Sequence, residues 1–192
     1  MKQLTKVIKP IKGTTEVALQ RAMFMEGCSV IDKKTKIDWL DIELPVVLSE
    51  GNKRNKCVDL IGRCNNHYVL CELKFWKPTS HSNPPMYAYE EVSTYFKMIQ
   101  SNCDVLEANG YHHPDGLPFS WIDVAAPTTE LIIIANREYW EYWKDHRNMP
   151  IPNDIKCYMI DVPSDEFDRQ KEGNEDYLPY IETNAIYNID CQ

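Results

Sequence analysis

Residues 57–75 read CVDLIGRCNNHYVLCELKF, two apolar runs joined by a polar turn. Each run suits a buried strand, and RCNN between them supplies turn residues for a β-hairpin. Charges interrupt both runs: Asp59 in the first, Glu72 and Lys74 in the second. Residues two apart in a strand share a face, so Val69, Cys71, Leu73 and Phe75 fall on one side. Tyr68, Leu70, Glu72 and Lys74 fall on the other, with Glu72 and Lys74 ~6–7 Å apart along the strand. A short hairpin lets Asp59 reach the same end of that face. Carboxylates gathered in the middle of a sheet repel one another unless a cation or a proton lies between them. A hard divalent ion meets that need, since Mg²⁺ is typically held by one or two carboxylates with waters and substrate phosphate. A lysine beside it would donate to phosphate and hold an attacking water or hydroxide.

Outward from the hairpin, residues 12–27 (KGTTEVALQRAMFMEG) carry helix punctuation: Thr14 or Thr15 as cap, Glu16 in the first turn, Gly27 as stop. Residues 36–50 (KIDWLDIELPVVLSE) read as a strand in which Pro45 argues for an edge position or a bulge. TSHSNPPM is a loop, and residues 87–109 form the longest helical pattern. Residues 111–127 are irregular. ELIIIAN (130–136) reads as a buried strand, REYWEYWKDH (137–146) as an amphipathic helix and IKCYMIDV (155–162) as a strand. A meander of strands followed by alternating helices and strands implies a mixed sheet flanked by helices, of α/β or α+β class. The expected division is one domain over 1–162 and an acidic extension over 163–192, packed on that domain or trailing from it.

A chain of 192 residues suits one domain, or two small ones, and one domain of this size buries about 70% of its unfolded surface without staples. The longest apolar stretches are too short to cross a bilayer, and the N-terminal segment lacks the apolar run of a signal peptide. The expectation is a soluble, cytoplasmic protein with no membrane partner. The seven cysteines are odd in number and contain no C-x-x-C pair, so reduced thiols are expected rather than disulfides or a zinc site. A net charge of −8 excludes a protein that coats nucleic acid by bulk positive charge. The charge is uneven: residues 1–59 hold 11 Lys/Arg against 8 Asp/Glu, and residues 60–192 hold 10 against 21. Lys2, Lys6, Lys9, Lys12, DKKTK and NKRNK are the candidate basic surface; solvated loop lysines would look the same.

Asp59, a gap of twelve residues, then Glu72-x-Lys74 resembles the PD-(D/E)XK nuclease superfamily. GTTEVALQRAMFMEG is similar to the first helix of its Holliday-junction-resolvase-like branches, which places Glu16 at a metal-linked acid position, with Glu26 as competitor. YEEVSTYFK offers Glu91, Tyr95 and Lys97 where many members carry a polar motif on the next helix. Val58 stands where the family has Pro, and Glu91-x-x-x-Tyr95 stands for Q-x-x-x-Y. The resemblance covers residues 13 to about 136. It implies a restriction-endonuclease-like mixed β-sheet flanked by helices (an αβββαβ core) with C-terminal additions. It implies Mg²⁺ or Mn²⁺ held by Asp59, Glu72, the Leu73 backbone carbonyl and Glu16, with Lys74 on the attacking water and Glu91 and Tyr95 shaping the site.

The implied activity is metal-dependent hydrolysis of DNA phosphodiesters. The alternative is a catalytically inactive protein that keeps the fold for binding or assembly. DNA is the expected partner; a homodimer is open to the chain, as is a protein partner for the acidic tail. EYWEYWK reads as packing rather than as a base-stacking platform. His112 and His113 read as solvated loop residues, and no Ser or Cys has the surroundings of a covalent nucleophile.

Overall fold

The computed structural model describes residues 16–46, 57–79, 82–108, 119–146, 151–162 and 185–189. Strands β3 (Cys57–Cys64) and β4 (His67–Lys74) form the expected hairpin, with Cys64 opposite His67 and Leu60 opposite Cys71. Asn65 turns the corner at φ 53°, a left-handed conformation that Asn tolerates better than most residues. Strand periodicity holds along β4: Val69, Cys71, Leu73 and Phe75 lie in one buried cluster, Tyr68 and Leu70 in another.

Strand β2 (Thr35–Pro45) runs antiparallel to β3, and β1 (Cys28–Ile31) antiparallel to β2. On the other side of the hairpin, β5 (Glu130–Asn136) lies parallel to β4 and β6 (Lys156–Ile160) parallel to β5. Strand β7 (Ala185–Asn188) pairs antiparallel with β6 and parallel with β1, through Val30–Ala185 and Ile31–Ile186. These last pairs close the sheet into a seven-stranded barrel. The expected open mixed sheet, a restriction-endonuclease-like αβββαβ core between helices, is therefore incorrect. The reason lies in edges. An open sheet would leave β1 and β6 with unpaired backbone groups, and β7 satisfies both rows at once. Strands β1 and β7 have only four residues each, too few for a periodic signal. Strand β7 also arises within the expected acidic extension. Of the edge position or bulge expected at Pro45, the edge is what the pairing shows: β1 reaches β2 only as far as Asp38, Pro45 pairs with Cys57 alone, and the register shift lies earlier, between Trp39 and Asp41.

Helix α1 (Glu16–Glu26) contributes Ala18, Leu19 and Met23 to a core fed by all seven strands. Gly27 ends it as expected, at φ 77°, and its carbonyl accepts the Trp39 N–H at 2.9 Å. The second core lies on the opposite face. Helix α2 (Pro85–Ala108) buries Ala88, Val92, Ile99 and Leu106 there, a stripe at helical spacing. Helices α3 (Trp121–Val124) and α4 (Arg137–His146) complete it with Trp121, Val124, Tyr139 and Trp140. Each fully buried Leu or Ile is worth about 1.5–3 kcal/mol, so the two apolar faces of the sheet dominate its stability. Helix α3 falls in a stretch expected to be irregular; Ser120 caps it, its Oγ accepting the Asp123 N–H at 3.3 Å.

Among the described residues no helix is long and apolar enough to cross a membrane. The six described cysteines form no disulfide. Thr14 and Thr15, Lys2 to Lys12, NKRNK, His112 and His113, and most of the acidic extension lie outside the described residues.

Candidate active site

The β3–β4 ladder ends at Leu60–Cys71, one residue short of Asp59. Beyond that point the Asp59 side chain replaces the missing strand: its Oδ2 accepts the Leu73 N–H at 2.8 Å. From the other side, Gln20 on α1 donates from Nε2 to the Asp59 backbone carbonyl at 2.7 Å and reaches Oδ1 at 3.4 Å. Asp59 is thus clamped between β4 and α1. Its Oδ1 keeps lone pairs that this long contact leaves largely unused.

Glu72 and Lys74 point to the α2 side of β4, as their spacing requires, and are 4% and 5% exposed. The Lys74 ammonium lies 2.6 Å from Glu72 Oε1, 3.1 Å from Glu91 Oε2 and 3.8 Å from Glu16 Oε1. The start of α1, the end of β4 and the first half of α2 therefore meet on one cation. Tyr95 follows Glu91 by one helical turn, which keeps it on the same side of α2. Burial first, then the charges of Glu72, Glu91 and Asp59, push its hydroxyl up to about 12, so it stays a proton donor at neutral pH. Glu16 rather than Glu26 joins the site; Glu26 is exposed at the far end of α1, and Lys97 is exposed on α2.

Three carboxylates thus share one ammonium, and Asp59 adds a fourth acid within its field. Burial raises Glu16 to about 7, the charges of Asp59 and Glu91 adding to the rise and Lys74 opposing it. Burial likewise raises Asp59 to about 6, against the Leu73 N–H and Lys74 and with help from Glu91 and Glu43. Glu72 is driven well above the ordinary carboxylate range by burial and by Asp59, despite Lys74. Burial alone would discharge Lys74, but Glu72, Glu16 and Glu91 outweigh it and hold the ammonium charged. The cluster is short of positive charge.

Among the described residues, no group of three or more His, Cys, Asp and Glu side chains is arranged to hold a metal ion. Mg²⁺ does not require one, since it commonly takes one or two carboxylates and completes its shell with water. In donor chemistry, Asp59 Oδ1 and Glu72 Oε2 are of the type that this smaller demand calls for. The Leu73 carbonyl lies on the same side of β4 as its N–H, facing the gap where β3 departs. Lys74 holds the remaining Glu72 oxygen.

Two polar residues here lie outside the candidate set taken from the sequence. Gln20 is buried beside Leu19 and Met23, four positions after Glu16; its trace in the sequence is a polar residue on an apolar helix stripe. Glu43 sits across from Asp59, between the pairs Ile42–Leu60 and Leu44–Val58, at φ 49°. Nothing in the alternation of β2 announces that conformation. No family model, curated protein or solved structure matches the chain.

Proposed function

We propose that the chain is a divalent-metal-dependent phosphodiesterase acting on DNA, with a site of the PD-(D/E)XK type carried on a closed barrel. The reading rests on one observation: Glu16, Glu72 and Glu91 converge on the ammonium of Lys74 with Asp59 in its field, and three of these four carboxyls are displaced upward. Such a site is built to accept more positive charge. Asp59 and Glu72 would hold Mg²⁺ or Mn²⁺, with the Leu73 carbonyl and Glu16 beside them. When bound, that ion supplies Lewis acidity for the scissile phosphate and the attacking water.

The chain's own residues do the rest. Gln20 and the Leu73 N–H fix the Asp59 carboxylate before substrate arrives. Glu91, 3.1 Å from the Lys74 ammonium, would keep it in place were Glu72 to serve as a metal ligand. Lys74 orients the attacking water and donates to the oxygen on which negative charge builds. Tyr95, protonated at neutral pH, adds a donor from α2.

The test is cleavage of plasmid and linear DNA with Mg²⁺ or Mn²⁺, comparing wild type with Glu72→Gln and Lys74→Met. Each substitution is expected to lower the rate by about 100-fold or more, and EDTA to abolish it. Full activity in either variant, or in EDTA, refutes the mechanism. A second reading, an inactive binding or assembly protein, is favoured by the 2.6 Å Lys74–Glu72 pair, which already neutralises one metal-binding carboxylate. It predicts no cleavage under Mn²⁺ by protein that still binds DNA.

A further inference from the structure

Among the described residues, Asp32, Lys33, Glu43 and Asn65 are the non-glycines with a left-handed backbone. Three of them lie in turns, where that conformation closes a hairpin. Glu43 lies inside β2, at φ 49°. A left-handed residue within a strand strengthens the local twist, as it does in a bulge. Here no residue is inserted, since Ile42–Leu60 and Leu44–Val58 pair on either side of it. The strands roll instead of slipping. Residues two apart in a regular strand share a face, yet Ile42 belongs to the core beneath α1 and Leu44 to the core beneath α2. Strand β3 changes face at the same level, with Leu60 in the first core and Val58 in the second.

The roll coincides with the point where β3 leaves β4. In a flat continuation of the Leu60–Cys71 register, Leu73 would face Val58, and the Val58 carbonyl would take the Leu73 N–H. Asp59 would then have no place on that edge. With β3 rolled away, the N–H groups of Leu73 and Phe75 need other partners. Asp59 Oδ2 accepts the first at 2.8 Å, and the Glu16 carboxylate accepts the second. Two acids of the candidate site are thus seated on N–H groups two residues apart, along the part of β4 that β3 has vacated.

We propose that Glu43 is a positioning residue for the candidate active site. Its left-handed backbone is the kink that rolls β2 and β3 off β4 and opens the edge on which Asp59 and Glu16 are seated. Glu43 acts on the reaction only through those two acids. The catalytic purpose of the kink rests on the phosphodiesterase reading, whereas its control of Asp59 is a property of the metal-free fold. Backbone preference then decides what can stand at this position: Gly and Asn enter the left-handed region readily, and a β-branched residue resists it.

The experiment follows amide hydrogen exchange at Leu73 in EDTA, with Cys71, still paired to Leu60, as the reference amide. Glu43→Val is expected to lower Leu73 protection about tenfold or more, the loss of a hydrogen bond to a carboxylate. Cys71 protection should change less than about threefold. Glu43→Gly and Glu43→Asn are expected to hold Leu73 within about threefold of wild type, because the backbone and not the carboxylate makes the kink. With Mn²⁺ and DNA, Glu43→Val should lose about tenfold or more in kcat with KM changed less than about twofold, and Gly and Asn should rescue it. Unchanged Leu73 protection in folded Glu43→Val overturns the kink, as does an equal loss at Cys71. If the Val variant fails to fold, Gly and Asn decide: retained Leu73 protection supports the kink, and lost protection overturns it. Leu73 protection that follows the residue at 43 in a protein that cleaves no DNA removes the phosphodiesterase alone. Cleavage by a protein whose Leu73 amide is indifferent to that residue removes the kink alone.

Discussion

Replacing Asp59 with Asn is expected to stabilise the metal-free protein, although it deletes a hydrogen-bonded buried acid. The Asp59 carboxyl is raised from 3.8 to about 6 in the fold. Ionising it there is disfavoured by on the order of 3 kcal/mol. The sign follows from linkage. A carboxyl whose folded pKa lies above its unfolded one gives stability that is fully present below about pH 4 and lost as pH rises through about 6. Asn keeps an oxygen for the Leu73 N–H and carries no charge. Its amide would face Gln20 Nε2, now 3.4 Å from Oδ1, and that donor–donor contact reduces the gain. The expected net stabilisation at pH 8 is about 1–3 kcal/mol, or roughly 2–10 °C in melting temperature for a chain of this size. Thermal melts in EDTA from pH 4 to 8 would show wild type and variant coinciding near pH 4 and separating through pH 6. A variant that melts lower than wild type at pH 8, or a gap independent of pH, would refute the claim that Asp59 is held against its own charge.

Three further outcomes follow from the same structure. Saturating Mn²⁺ at pH 8 should raise the melting point of wild type, by about 2.7 kcal/mol of stability at a hundredfold excess over Kd, and leave Asp59→Asn unmoved; an equal rise in both would place the ion elsewhere. Gly62→Ala should destabilise by about 1–3 kcal/mol, because a Cβ there would lie 2.7 Å from both Ile37 Cγ2 and Trp39 Cε3; urea unfolding with an unchanged midpoint would contradict this. A chain ending at Val162 loses β7 and leaves β1 and β6 with bare edges, so it should self-associate on size-exclusion chromatography and melt lower. A monomer with the wild-type melting point would show that closure contributes nothing.

Local pattern carried the hairpin and the acid–lysine pair. The alternation through HYVLCELKF assigns Glu72 and Lys74 to one face whatever packs there, and β4 has them both on the α2 side. Glu91 and Tyr95 reach the cluster because they lie one turn apart on a long helix whose apolar stripe points at the same sheet face. Local pattern makes Glu16 only a first-turn acid; its membership of the site is implied by the resemblance, against Glu26, and the start of α1 lies 3.8 Å from Lys74. Gln20 was not found, because a lone amide on an apolar stripe gives no hint of the carbonyl it will meet, and Asp59 lies 39 residues away.

What the sequence determined by itself is therefore the periodic part: which runs are strands or helices, which face each residue takes, and that Asp59, Glu72 and Lys74 sit where acids and a cation have to be explained. Those properties depend on neighbours within a few residues. Closure of the barrel does not. It depends on two four-residue strands at opposite ends of the described chain finding each other, Val30 with Ala185 and Ile31 with Ile186. Short strands carry little pattern, and only the assembled sheet leaves the edges that make their pairing favourable. The same holds for the site. Only where β3 leaves β4 does Asp59 take the Leu73 N–H, and only in the assembled fold do Glu16, Glu72 and Glu91 come to share one lysine.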